Sequence, residues 1–275
     1  MPATADTRAA AVAGLFYPAD AVVLAREVQT LLAAAYQPKS PAGTPKALIV
    51  PHAGYIYSGP VAASAYAQLR PLRGAIQRVV LLGPVHRVAV RGLALPGTQA
   101  FETPLGRIPI DREAVNRLLI RPMRQVTTSA AAHAPEHSLE VQLPFLQQVL
   151  GDFKLVPLAV GEATPEEVAE VIEALWGGRE TLIVVSSDLS HYLPYQAAQQ
   201  IDKQTCAAIA RLQALDSHEQ ACGATPVNGL LLAARHHHLR PQLLDLRNSG
   251  DTAGDRERVV GYAAFAFTEE PAHAH

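Results

Sequence analysis

Only two cysteines, Cys206 and Cys222, occur in the 275 residues of this chain. Two thiols are too few for a disulfide framework, and their scarcity points to a reducing, cytoplasmic setting. The chain also lacks any run of about 18 uninterrupted apolar residues, which argues against a membrane-spanning helix. An excess of positive charge is missing too. The 23 Lys and Arg against 25 Asp and Glu leave a formal net charge of -2, so there is no electrostatic footprint for nucleic acid or an acidic membrane surface. What remains is a chain of 49% hydrophobic and 17% charged residues, the composition of a soluble globular protein with a sizeable core. The apolar run from Ala9 to Tyr17 does not read as a signal peptide, because Asp6 lies just before it and no small-residue cleavage site follows before Pro18. It reads as the first segment of one domain over residues 1–270, with 271–275 a short disordered tail.

Three stretches share one grammar, in which a short β-branched apolar run breaks into a Gly, Pro or Ser turn that carries a histidine. They are Ala47–His52, Val79–His86 and Thr181–His191. Apolar runs without polar alternation are typical of parallel strands buried on both faces, and ligands of open α/β sheets bind beyond the carboxyl ends of such strands. Histidines at three strand exits can therefore meet at one point.

Strands and helices alternate along the rest of the chain. The Pro-rich stretch from Gln37 to Pro45 reads as a surface loop. Helices are expected at about 60–69 with Ser58 as N-cap, at 112–119, at 165–175 with Thr164 as N-cap, at 195–212 and at 226–235. Strands are expected at 155–160, 181–185, 242–246 and 259–267, with shorter ones between Arg91 and Ile110. Leu139, Leu143, Leu146 and Leu150 keep a helical stripe that Pro144 should kink, with His137 opposite the stripe. The fold class that follows is α/β: a single domain with a central, mostly parallel or mixed sheet flanked by helices.

His52 stands beside Gly54 just before a helix, and Gly83-Pro-Val-His86 repeats the arrangement on the next strand. Two such turns point to a shared metal, since neutral imidazole is the commonest metal ligand. The third ligand is open among Asp188, His191, Glu136, His137 and Cys222. Asp188 can orient a ligand histidine from behind, and His191 can act as acid or base on a substrate. His133-Ala-Pro-Glu-His137 matches H-x-x-E-H formally, but Pro135 disfavours the helix that motif needs; His133 reads as a loop residue. Cys222 precedes a helix, where a thiol is biased toward thiolate, whereas Cys206 reads as a small core residue. In His236-His237-His238 adjacent helical side chains diverge, so convergence on an ion would need a special turn.

Gly14-Leu-Phe-Tyr-Pro18, Pro51-His-Ala-Gly-Tyr55, Gly83-Pro-Val-His86, Glu136-His-Ser-Leu-Glu140, Ser186-Ser-Asp-Leu-Ser-His191 and Ala221-Cys-Gly223 together resemble the Memo-like proteins, whose prokaryotic members are called AmmeMemoRadiSam system protein B. The resemblance covers about Ala9 to Phe267. It implies a fold similar to class III extradiol dioxygenases, with His52, His86 and Cys222 at the metal-ligand positions and Asp188, His191 and His137 in the same cleft. The dioxygenases hold iron with two histidines and a carboxylate, so Cys222 is a departure that alters charge donation. The first expectation is a mononuclear iron oxidoreductase of dioxygenase type acting on a small-molecule substrate, with copper or zinc as other occupants. In it His191, oriented by Asp188, takes the substrate proton, while Tyr55, Tyr57 and Glu136 shape the pocket. A second expectation is an adaptor that binds a protein partner, since Memo-like proteins are grouped with radical-SAM and Ammecr-like partners or described as mediators engaging phosphotyrosine tails. A third is a zinc hydrolase with Glu136 or His191 activating water.

Overall fold

The computed structural model describes residues 6–35, 43–120 and 123–269. The expected tail at 271–275 and most of the expected loop, residues 37–42, lie outside these. Twelve strands are present among the described residues: β1 (Thr7–Arg8), β2 (Pro45–Val50), β3 (Arg78–Pro84), β4 (Leu93–Leu95), β5 (Ala100–Thr103), β6 (Gly106–Pro109), β7 (Val126–Thr128), β8 (Lys154–Val160), β9 (Thr181–Ser186), β10 (His191–Leu193), β11 (Arg240–Asn248) and β12 (Val259–Thr268). The α-helices are α1 (Ala21–Ala34), α2 (Tyr55–Tyr66), α3 (Arg112–Ile120), α4 (Ala130–His133), α5 (Leu143–Leu150), α6 (Pro165–Leu175), α7 (Tyr195–Ala210) and α8 (Ala224–His236). None of them is long and apolar enough to cross a membrane.

Nine strands form one mixed sheet in the order β10-β12-β2-β9-β3-β8-β4-β7, with β11 also on β12, while β1, β5 and β6 form a small separate sheet. The centre β2-β9-β3-β8 is parallel, and β12 and β4 flank it antiparallel. Alternate residues of each central strand enter opposite cores. Leu48, Val50, Val79, Leu81, Leu182 and Val184 pack on one side, whereas Ala47, Ile49, Val80, Leu82, Ile183 and Val185 pack on the other. Both faces being covered is the reason these strands read as unbroken apolar runs.

Two expected elements differ in the structure. The helix after β2 starts at Tyr55, not near Pro60, so it follows directly from the His52 turn. Pro60 lies inside it, and Ile56, the acceptor its missing N–H would have used, is 66% exposed, where water can serve the carbonyl. Pro144 does not kink a longer helix; it occupies the first turn of α5, where no N–H is needed, and a short 3-10 turn over Glu140–Gln142 precedes it. His137 therefore sits in irregular chain ahead of the helix, free to turn toward the strand ends.

Candidate metal centre

The sheet register sets the site. Val50 pairs with Ser186 and Leu82 with Val185, so β2, β9 and β3 end side by side and release His52, Asp188 and His86 at one edge. Ser187 N–H donates to Val50 O at 2.9 Å, and Asp188 Oδ1 accepts the His52 backbone N–H at 2.7 Å, tying two of the exits together. Gly83 admits the third wall. A Cβ there would lie 2.9 Å from Ser138 Oγ and 3.0 Å from Leu139 Cδ2, so only glycine lets the segment bearing Glu136 and His137 press against β3.

Three imidazoles gather at this edge. The ring centroids of His52 and His86 are 5.1 Å apart, those of His86 and His137 4.7 Å, and those of His52 and His137 5.5 Å. One nitrogen from each lies within 4.8 Å of the other two. His52 is buried, and the side chains of His86 and His137 are partly exposed.

Proton counting fixes the tautomers of two rings. Gln142 Nε2 donates to Pro51 O at 2.9 Å, and that carbonyl can only accept, so the same amide nitrogen is the donor toward Ser186 Oγ at 2.9 Å. Ser186 Oγ commits its one proton to Ser138 O at 2.7 Å. It must then accept from His52 Nδ1, 2.8 Å away, which leaves His52 Nε2 with a free lone pair. For His86 the partner is a carboxylate: Nδ1–H donates to Glu136 Oε1 at 2.9 Å, again freeing Nε2. Glu136 also accepts the backbone N–H groups of His86, His137 and Ser138.

The electrostatics keep two of the rings neutral. Burial, reinforced by the neighbouring imidazoles, lowers His52 to about 3 and His137 to about 4. Burial alone would raise Glu136, but its bonds from His86 and Ser138 outweigh that and hold it at about 2. Burial raises Asp188 despite the His52 N–H bond. Cys222 behaves contrary to the thiolate bias expected beside a helix, since burial and the Asp188 charge push its thiol up to about 12. Its Sγ lies 3.3 Å from His52 Nε2, so the S–H donates to that lone pair.

The remaining expected site residues separate. The triple cluster contains His137 where the sequence pointed to Cys222, which touches His52 but stands outside the cluster. His191 donates Nδ1–H to Leu189 O at 2.8 Å, so the Leu189 carbonyl orients it in place of Asp188. Asp188 instead holds His52. Tyr55 is no pocket residue: it is 3% exposed, packs on Phe145 and donates its hydroxyl to Val141 O. Two positions along a helix turn a side chain through about 200°, and Tyr57 faces the cleft in its stead. Glu136 is absent from the lining of the cleft and supports it from beneath. His133 is buried with Nε2 on Ala94 O, and Cys206 is buried in α7. Phe16, Arg258 and Tyr262, which the sequence reading did not single out, line the same cleft of about 690 Å³. Only Phe16 lay within a motif; the other two reach it from the β12 region.

A parallel-centred α/β sheet with clustered imidazoles at its carboxyl edge defines a class of proteins able to bind a metal ion there. The Memo-like protein family model matches residues 8–266, and the chain belongs to that family. It is 38% identical to a MEMO1 family protein of Ignicoccus hospitalis, over 94% of this chain and 98% of the relative. It is 37% identical to a MEMO1 family protein of Aquifex aeolicus, with the same coverage. A crystal structure of an uncharacterized Escherichia coli K12 protein shares the fold with a TM-score of 0.51 at 14% identity, covering 78% of this chain and 98% of that one.

Proposed function

We propose that this protein is a mononuclear metal-dependent oxidoreductase of dioxygenase type that acts on a small molecule, with iron as the resident ion; copper and zinc suit the same donors. One observation carries the reading. His52 and His86 each have Nδ1 held by an oxygen behind the ring and Nε2 left as a lone pair, the arrangement that metal-ligating histidines adopt. The residues present fit an ion: burial holds His52 neutral, and Glu136 behind His86 supplies the carboxylate that strengthens a ligand imidazole. Cys222 takes the third position. Its 3.3 Å separation from His52 Nε2 is what two donors on one ion require, given metal bonds of about 2.0–2.3 Å, and binding would release the thiol proton. His137 is the competing donor and otherwise stands beside the substrate.

A bound ion would bring substrate oxygen and dioxygen together as a redox-active Lewis acid. This chain's own residues do the rest. His191, with its Nδ1–H spent on Leu189 O, presents Nε2 as the base for a substrate hydroxyl. Phe16, Tyr57, Tyr192 and Tyr262 offer aromatic walls, and Arg87 and Arg258 offer positive charge, which suits an anionic aromatic molecule. Glu136 is committed to four N–H groups and is not free to activate water, which weighs against hydrolysis. The test is dioxygen uptake by iron-loaded protein with a panel of catechol carboxylates. Uptake that falls with His191→Ala at unchanged iron content supports the proposal; an iron-loaded protein inert toward the whole panel contradicts it.

A further inference from the structure

The sequence pattern gave no reason for His236-His237-His238 to converge, because neighbours within a helix point about 100° apart. The structure supplies both the turn and a third donor. α8 ends at His236, His237 follows with φ -93° and ψ 11°, and His238 adopts a left-handed φ of +53°. His236 is the last residue of the helix and His237 the first beyond it, so the pair is not held to the spacing of a helix interior. Both swing onto one carboxylate, Glu173 of the adjacent α6: His236 Nδ1 lies 2.9 Å from Oε1 and His237 Nε2 2.8 Å from Oε2.

We propose that Glu173, His236 and His237 form a second, surface site for a borderline divalent transition-metal ion of the zinc class. One donor atom from each residue lies within 4.8 Å of the other two, so a modest closure of the side chains brings them round one ion. Two imidazole nitrogens and a carboxylate oxygen are a ligand set of catalytic zinc centres, with the fourth position left to water. The site is also preorganised. The His237 ring lies flat on Trp176, with centroids 3.7 Å apart and planes 7° apart. Trp176 is steadied in turn by Lys46, whose Nζ sits 5.1 Å from the indole centroid and donates to the carbonyls of Trp176, Gly178 and Thr181. His236 is mostly exposed, so an ion reaches the site from solvent.

Trp176 is the only tryptophan of the chain and reports directly on His237. The test titrates zinc, and separately copper, into untagged, chelator-stripped full-length protein while its fluorescence is followed. A change complete within a few equivalents of ion is expected. His236→Ala and Glu173→Gln, which leave the stacked pair intact, should weaken the response at least about tenfold, a loss that even an outer partner of a metal site can cause. His238→Ala should respond as the unaltered protein does. A response only at large excess of ion, or one equally weakened by His238→Ala, would overturn the proposal.

Discussion

Replacing Glu136 by glutamine removes one charge and almost no volume, yet it strikes the support beneath the histidine cluster. The carboxylate accepts the backbone N–H of His86 at 2.5 Å on one oxygen; the other receives His86 Nδ1–H and the N–H groups of His137 and Ser138, each at 2.9 Å. An amide has one accepting oxygen. If that oxygen takes the three-donor position, its NH2 meets the His86 N–H head-on, and one buried donor is orphaned at a cost of about 1–3 kcal/mol. The lost charge adds to this. Glu136 is held at about 2 against an ordinary 4.5, which by proton linkage corresponds to about 3 kcal/mol of stability at neutral pH. Because the folded value is depressed, that contribution is present above pH 4.5 and is lost as the pH falls toward 2. Urea unfolding at pH 7 should therefore show Glu136→Gln destabilised by about 4–6 kcal/mol. Equilibrium dialysis should show metal affinity about 10–100-fold lower, since His86 Nδ1–H then meets a neutral amide oxygen in place of the carboxylate that strengthens a ligand imidazole. A variant with unchanged stability and unchanged metal affinity would refute the reasoning.

Other consequences follow from the same geometry. His52 and His137 are lowered to about 3 and 4 from an ordinary 6.5, so the unfolded chain takes up their protons first. Metal-free protein should therefore keep full stability above pH 6.5 and lose about 1.4 kcal/mol per pH unit for each of the two as the pH falls toward 4, seen as a falling urea midpoint; a flat midpoint between pH 6.5 and 4.5 would contradict this. Arg8→Ala should cost about 3–5 kcal/mol, because it strips the guanidinium from the buried Glu140 carboxylate that also holds Ala11 N, Val12 N and the Tyr17 hydroxyl. A loss under about 1 kcal/mol in calorimetry would show that those other donors suffice. Gly223→Ala places a Cβ 2.8 Å from Ser187 Cβ and 2.9 Å from Ser186 O, so the turn carrying Cys222 must shift. A destabilisation of about 1–3 kcal/mol is expected, with reduced metal retention on gel filtration.

Much of this arrangement is legible in the residue order. The unbroken apolar runs identify β2, β3 and β9 because strands covered on both faces have no polar alternation to show. Thr164 and Pro165 mark the start of α6 through a capping box completed by Glu167. His52 and His86 are recognisable from their place just past strand ends. His137 is harder to assign, since its part in the cluster depends on Gly83 admitting a segment more than 50 residues away, a contact no local pattern encodes. The inward turn of Tyr55 depends on where α2 begins, and Pro60 misdirects that boundary because an interior proline looks like a first-turn one. The state of Cys222 escapes local reading for a similar reason: position beside a helix favours thiolate, but the burial and the Asp188 charge that oppose it come from tertiary packing.

The central claim is that His52 Nε2, His86 Nε2 and Cys222 Sγ share one ion. X-ray absorption at the metal edge of protein purified without oxygen tests it most directly. The predicted first shell has one sulfur and two imidazole nitrogens, and the sulfur contribution vanishes in Cys222→Ser. A shell of nitrogen and oxygen alone in the unaltered protein would contradict the account and pass the third position to His137.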